Sequence, residues 1–150
     1  MPTADDVNRG SDPWNLGRLV EAQERDYSRA LHEIRQGRKR SHWIWFVFPQ
    51  LAGLGYSHNA RFYGLSGAEE AQAYLDHPVL GARLTEISQA LLEVEGRTAH
   101  DILGSPDDLK VRSCATLFAA VAPTGSVFQQ VLDQYYGGEA DPKTLELLGR

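Results

Sequence analysis

Apolar residues recur at helical spacing along most of the chain, and they predict a series of amphipathic helices. A first stripe runs from Leu16 to Ile34 and ends at Gly37, a residue type typical of helix C-termini. A later stripe keeps the i, i+4, i+7, i+11 spacing of one helix face: Leu80, Leu84, Ile87 and Leu91. Because strand-like alternation is lacking, the pattern predicts an all-α, mainly α-helical fold, arranged as a compact multi-helix bundle.

Residues that favour helix starts precede the stripes. Side chains of Ser, Thr, Asp and Asn cap the first turn, and proline is tolerated at the first helical position. This rule predicts six helix starts: Asp12-Pro13, Ser57, Ser66, Ser105-Pro106, Ser126 and Asp141-Pro142. A stripe of Cys114, Leu117, Phe118 and Val121 follows the fourth of these starts. The helix that begins there is therefore expected to be buried along one face.

The segment from His42 to Phe48 is apolar on every side after the histidine. Periodicity cannot distinguish a buried helical turn from a buried strand in so short a run, so both remain open. In either case the segment belongs to the core. Residues 1–11 are polar and lack periodicity, which predicts a disordered N-terminal tail before a single helical domain at 12–150.

Composition narrows the class of protein. The net charge of −5 makes general nucleic-acid binding unexpected. The longest apolar run, from Trp43 to Phe48, is far shorter than the ~20 residues that cross a bilayer. The N-terminus has no apolar core of a secretory signal, and one cysteine cannot form an internal disulfide. These features predict a cytoplasmic protein with no membrane segment, and nothing in them predicts the oligomeric state.

Charge is concentrated in the stretch from Arg35 to Gly55, which reads R-Q-G-R-K-R-S-H-W-I-W-F-V-F-P-Q-L-A-G-L-G. It combines a basic run, a Ser-His pair, two tryptophans and a Gly-x-Gly turn. The basic run can interact with the C-terminal end of the preceding helix, or it can bind an anion, and the two interpretations have similar weight. This stretch is the first place to expect a binding site.

A second polar row lies on the helix predicted after Pro106. Lys110 precedes the buried Cys114 by one helical turn, and Asp107 and Ser113 flank it at spacings of three. Charged groups in line with a core stripe need a partner or exposure. These polar residues can form a binding or catalytic site. Alternatively, the charge of Asp107 stabilises the N-terminus of the helix, and Lys110 extends its amine to water.

Three strings resemble one bacterial family, the domain of unknown function 1810. They are G-R-K-R-S-H-W-I-W-F-V-F-P-Q-L-A-G-L-G-Y-S at 37–57, A-Y-L-D-H-P-V-L-G at 73–81 and D-D-L-K-V-R-S-C-A-T-L-F at 107–118. The resemblance extends from about Asp12 to Leu148 and implies a helical fold without a known activity. More distantly, the chain is similar to the NADAR group, which is linked to NAD and ADP-ribose metabolism and includes enzymes that remove ADP-ribose from guanine bases.

The resemblance implies roles for the polar residues. Asp107, Lys110 and His42 are the candidate catalytic residues, with Asp107 as general base or oxocarbenium stabiliser. The candidate residues for phosphate, base and ribose are Arg38, Lys39, Arg40, Ser41, Trp43, Trp45, Gly53, Gly55 and Ser113. For each tryptophan, burial in the core is the alternative. For the two glycines the alternative is an ordinary turn.

Two functions of different classes follow. The first is a hydrolase that cleaves an N-glycosidic bond of an ADP-ribosylated base or an NAD-derived nucleotide. The second is a non-catalytic module that binds a nucleotide or a protein through the basic and aromatic surface at 38–45. The histidines and the cysteine show no ligand spacing, so neither a metal site nor a cofactor is predicted.

Overall fold

The computed structural model describes residues 12–150, and this part of the chain contains nine α-helices, one 3-10 turn at Ala52–Leu54 and no β-strand. The helices are α1 Gly17–Arg35, α2 Ile44–Val47, α3 His58–Tyr63, α4 Ala68–Asp76, α5 Leu80–Leu92, α6 Ala99–Leu103, α7 Asp107–Val121, α8 Val127–Tyr136 and α9 Pro142–Leu147. The all-α prediction is confirmed. The tail predicted at 1–11 lies outside the described residues. None of the described helices is long and apolar enough to span a membrane.

Helix α1 is a single helix that begins later than the sequence predicted. Pro13 is not its first residue, because the helix starts at Gly17. Asp12 still caps it from a distance: its carboxylate accepts the backbone N–H groups of Leu16 at 2.7 Å and Gly17 at 2.9 Å. The predicted position was wrong, whereas the predicted capping chemistry is present.

The end of α1 confirms the expected role of Gly37. This glycine has a φ of 77°, a left-handed conformation that side chains disfavour. Its N–H donates to the carbonyl of Ile34 at 2.8 Å, and the N–H of Arg38 donates to the carbonyl of Glu33 at 3.0 Å. This pair of bonds is the Schellman motif, which ends the helix and turns the chain into the basic run.

Three of the other predicted caps are confirmed, since their side chains accept a first-turn N–H: Ser57, Ser126 and Asp141. The caps predicted at Ser66 and Ser105 are wrong. Helix α4 begins after Gly67, and the N–H of Ser66 instead donates to the Glu70 carboxylate at 2.8 Å. Helix α7 begins after Pro106, with no side-chain cap.

The apolar segment after His42 forms a short helix, α2, and so the helical alternative holds. Its residues Ile44, Phe46 and Val47 are buried, as are the flanking Trp43 and Phe48. Trp45 faces the other way and is half-buried. Because α2 packs against both α1 and α7, it brings the basic run close to the start of α7.

Helix α7 forms the centre of the molecule. It packs against α2, α4, α6, α8 and α9, while α1 packs against α2 and α5. Its predicted stripe is buried at Cys114, Leu117 and Phe118, and the ring of Phe118 lies against those of Tyr74 and Phe128. This packing fixes the first turn of α7, which carries Asp107 and Lys110.

Candidate functional site

The basic run that follows α1 is held in place by one buried carboxylate, that of Glu33. Its Oε1 accepts the backbone N–H of Arg40 at 2.7 Å, the N–H of Ser41 at 2.9 Å and the indole N–H of Trp43 at 2.8 Å. Its Oε2 accepts the Ser41 hydroxyl at 2.6 Å. A further bond joins the N–H of Lys39 to the carbonyl of Ile102 at 2.6 Å.

These hydrogen bonds also determine the charge state of Glu33. Burial alone would raise the pKa of its carboxyl group. Donors from Ser41, the Arg40 backbone and Trp43 stabilise the carboxylate more strongly than burial destabilises it, and the pKa falls from 4.5 to about 2. Glu33 is therefore ionised at neutral pH, and its negative charge organises a segment rich in positive charge.

Side chains in this segment alternate in direction, and we call residues 38–43 the basic segment. Arg38, Arg40 and His42 are exposed. Lys39 and Ser41 turn inward, towards Asp107 and Glu33 respectively. From sequence alone, the basic residues form one group. The structure divides the segment into an outward set, Arg38, Arg40 and His42, and an inward set, Lys39 and Ser41.

Lys39 reaches the start of α7, where it meets the predicted Asp107 and Lys110. Its Nζ lies 2.8 Å from Asp107 Oδ2, and the Nζ of Lys110 lies 3.4 Å from Asp107 Oδ1. The Lys39 side chain is 8% exposed, that of Asp107 17% and that of Lys110 20%. The carboxylate is thus held between two ammonium groups, one buried and one that reaches the surface.

Both lysines also contact aromatic rings. Lys110 Nζ lies 3.8 Å from the centre of the Trp45 ring, and Lys39 Nζ lies 5.1 Å from the centre of the Trp43 ring. These distances are within the range of cation–π attraction. We call Lys39, Asp107, Lys110 and Trp45 the Asp107 cluster. It places a carboxylate, an accessible ammonium and a half-buried indole next to one another.

Several predicted site residues do not contribute polar groups to this cluster. Trp43 is fully buried, which favours its alternative as a core residue. The Ser113 hydroxyl donates to the carbonyl of Leu109 at 3.1 Å, within its own helix. Gly53 lies against α9, since a Cβ there would be 3.3 Å from Leu147, and one at Gly55 would be 3.0 Å from Ala60.

Sequence reasoning missed Glu33, although a signal was available. The residue follows the buried Ala30 at a spacing of three and adjoins the buried Ile34, so it lies on the core side of α1. A carboxylate on a buried face needs several donors. The polar Arg40 and Ser41, just after the helix end, are where such donors could have been sought.

A large open cleft lies elsewhere, at the beginning of α1 and the junction of α4 and α5, with a volume of about 1260 Å³. No predicted site residue lines it. Four carboxylates do: Asp12, Glu21, Glu24 and Asp76. Arg18 also lines the cleft, but its guanidinium group is already paired with Glu70. The four carboxylates therefore make the cleft unfavourable for the anionic ligands that the basic segment would attract.

Metal and thiol chemistry have little support in the part of the chain that the structure describes. Across residues 12–150, no three His, Cys, Asp or Glu side chains come together in a way that could hold a metal ion. Cys114 is buried in the core, and burial raises the pKa of its thiol well above the usual value. A thiol of this kind is a poor nucleophile.

Comparison with known proteins identifies the family. A model of the family described as "Protein of unknown function (DUF1810)" matches residues 13–148, and the chain therefore belongs to this family. The crystal structure of the conserved hypothetical protein Rv1873 from Mycobacterium tuberculosis is similar, with 50% sequence identity and a TM-score of 0.91. The similarity covers 93% of this chain and 99% of the other. No curated protein matches the sequence.

Proposed function

We propose that this member of the DUF1810 family binds a nucleotide-type ligand, one with phosphate and an aromatic base, at the Asp107 cluster. The observation that carries the proposal is the position of Lys110. Its ammonium group is partly accessible and lies over the Trp45 ring, 3.8 Å from the ring centre, while Asp107 Oδ1 is 3.4 Å away. Cation, carboxylate and aromatic face are the three groups that phosphate, ribose and base require.

Each residue of the cluster has a role in this proposal. Trp45 offers its ring to the base, and the Lys110 ammonium, which covers that ring in the free protein, moves to a phosphate oxygen of the ligand. Asp107 accepts hydrogen bonds from ribose hydroxyls. Lys39, with its side chain only 8% exposed, contacts Asp107 from the protein interior, holds it in position and does not contact the ligand.

A second candidate function is hydrolysis of an N-glycosidic bond in an ADP-ribosylated base or NAD-derived nucleotide. The contacts of Lys39 and Lys110 with Asp107 favour this function, because they hold the carboxylate in place. A carboxylate that acts as general base or stabilises an oxocarbenium ion needs a fixed position relative to the substrate. The predicted similarity to the NADAR group points to the same substrates. His42 is exposed and would act here only if the ligand extends to the basic segment.

A thermal-shift titration tests the binding proposal. Wild type, Lys110→Ala and Lys143→Ala are titrated with ADP-ribose, NAD and AMP. Lys143 is a matched control, because it also forms an i, i+3 ion pair, with Glu146 at 3.8 Å, and is exposed. A ligand at 100 times its Kd adds about 2.7 kcal/mol to native stability, which raises the Tm by roughly 5–10 °C in a domain of this size.

We expect wild type and Lys143→Ala to show the same shift with at least one ligand, and Lys110→Ala to lose it. Absence of any shift in wild type would refute the proposal, and so would an undiminished shift in Lys110→Ala. The two candidate functions separate with Asp107→Asn. If the protein is a hydrolase, Asp107→Asn should still bind the ligand but no longer form the hydrolysis product, which chromatography detects. If wild type binds the ligand without turnover, the protein is a binding module.

A further inference from the structure

The outward set of the basic segment is a second group of cations beside the Asp107 cluster. Arg38 and Arg40 are exposed, and neither guanidinium group forms an ion pair or hydrogen bond with any residue in the range 12–150. Some other arginines are engaged, whereas the exposed side chains of Arg35 and Arg61 also lack a partner among residues 12–150. Arg18 donates to four backbone carbonyls and the Glu70 carboxylate, and Arg112 donates to the carbonyls of Glu139 and Ala140.

The backbone that carries these two arginines is fixed at several points. Gly37 turns the chain out of α1, Glu33 binds the N–H groups of Arg40 and Ser41, and Lys39 is anchored at both its N–H and its ammonium group. A ligand therefore does not have to order this backbone, which lowers the entropic cost of binding. Within the described part of the chain these two guanidinium groups have no partner and stand on a fixed backbone, which favours ligand recognition over helix stabilisation.

The spacing of the two arginines limits what they can bind together. Two residues of chain span at most about 7 Å between the Cα atoms of Arg38 and Arg40. A guanidinium group binds phosphate oxygens in a forked geometry, so two of them this close can hold the second phosphate of a ligand whose first phosphate is bound by Lys110. Lys39, the residue between them, extends to Asp107, so the backbone that carries the two arginines is tied to the Asp107 cluster.

From these observations we infer that Arg38 and Arg40 bind a diphosphate, and that the site selects nucleoside diphosphates and their derivatives over monophosphates. This inference rests on the proposed function, since it names the ligand class of the same site. The base and ribose occupy the Asp107 cluster, and the second phosphate reaches the outward arginines. His42, exposed on the same side of the basic segment, lies next in the row.

Isothermal titration calorimetry with AMP, ADP and a short uridine oligonucleotide tests this inference. The variant is Arg38→Gln/Arg40→Gln, which spares the Glu33 contact because that contact uses the Arg40 backbone. The control is Arg25→Gln/Arg29→Gln, which removes two exposed arginines of α1 and changes the net charge equally. Lys110→Ala is titrated alongside them.

We expect wild type and the control to bind ADP about tenfold more tightly than AMP, the factor that one charge-assisted hydrogen bond supplies. The Arg38→Gln/Arg40→Gln variant should bind ADP and AMP equally, each with nearly the affinity that wild type has for AMP. Equal affinities for ADP and AMP in wild type would overturn the diphosphate inference. If AMP binding is then lost in Lys110→Ala, the proposed function survives.

Two other results would also overturn the inference. If the double variant keeps the preference for ADP, the second phosphate binds elsewhere. If the oligonucleotide binds more tightly than ADP and the double variant loses it, the arginines recognise phosphodiesters of a nucleic acid. Absence of binding by any of the three ligands would refute the inference and the proposed function together.

Discussion

Asp107→Asn should lower the free energy of unfolding by about 3 kcal/mol, because it leaves the Lys39 ammonium buried without a charge partner. Removal of one member of a buried ion pair costs roughly 3–5 kcal/mol. Here the side chains of Lys39 and Asp107 are 8% and 17% exposed, and their charged atoms are 2.8 Å apart. The ammonium retains the Trp43 ring at 5.1 Å, which offsets part of the loss and places the cost at the lower end.

Urea denaturation followed by circular dichroism measures this effect. With an m-value of about 2 kcal/mol/M, the midpoint should fall by about 1.5 M. Asp133→Asn is the control, since Asp133 is exposed and, among residues 12–150, its side chain accepts a hydrogen bond from the Gln129 side chain alone. Its unfolding free energy should change by less than about 0.5 kcal/mol.

The double variant Lys39→Met/Asp107→Leu separates a buried charge from general damage. Because it removes both charges, it should recover most of the stability that Asp107→Asn loses. The reasoning fails if Asp107→Asn costs less than about 0.5 kcal/mol, a value typical of surface changes. It also fails if the double variant is as unstable as the summed single variants Lys39→Met and Asp107→Leu.

Two further predictions concern the basic segment and the core. The pKa of Glu33 is lowered from 4.5 to about 2, so its contribution is complete above pH 4.5 and is lost as the pH falls towards 2. Urea midpoints measured as a function of pH should therefore show that Glu33→Gln removes about 3 kcal/mol of the stability that wild type gains as the pH rises to 4.5. Glu95→Gln, at an exposed site, should change the unfolding free energy at neutral pH by less than about 0.5 kcal/mol. Gly81→Ala should destabilise by more than about 2 kcal/mol despite the better helix propensity of alanine, because a Cβ there would collide with the backbone carbonyl oxygen of Leu75. Gly67→Ala meets no atom within 4 Å and should shift the Tm little, so equal Tm values for the two alanine variants would contradict this packing.

Local patterns were enough to predict most of the fold. Helical stripes depend on residues three or four apart, and the caps at Ser57 and Ser126 depend on the next turn alone. The cap predicted at Ser66 was wrong because a competing local bond exists: the Ser66 N–H donates to the Glu70 carboxylate, and the helix begins after Gly67. Propensity rules rank single residues and do not decide between two capping arrangements of the same segment.

The candidate site could be predicted only in part, for the same physical reason. Asp107 and Lys110 are three residues apart on one helix, so their ion pair was visible as a row. The Lys39–Asp107 pair joins segments that are distant in sequence, and only the packing of α2 between α1 and α7 brings them together. The inward direction of Lys39 likewise depends on Glu33, whose four hydrogen bonds are a tertiary feature.

The most direct test of ligand binding at the Asp107 cluster uses the indole N–H signals of the three tryptophans in a proton–nitrogen correlation spectrum. Trp45 is half-buried beneath Lys110, Trp43 is fully buried with its N–H bonded to Glu33, and Trp14 lines the distant acidic cleft. On titration with ADP-ribose, the Trp45 signal should shift progressively to saturation, while the Trp14 signal stays in place and Trp43 moves less than Trp45. Saturable binding that shifts Trp14 and leaves Trp45 unchanged would contradict the proposed site, and a spectrum that ADP-ribose, NAD and AMP all leave unchanged would contradict nucleotide binding itself.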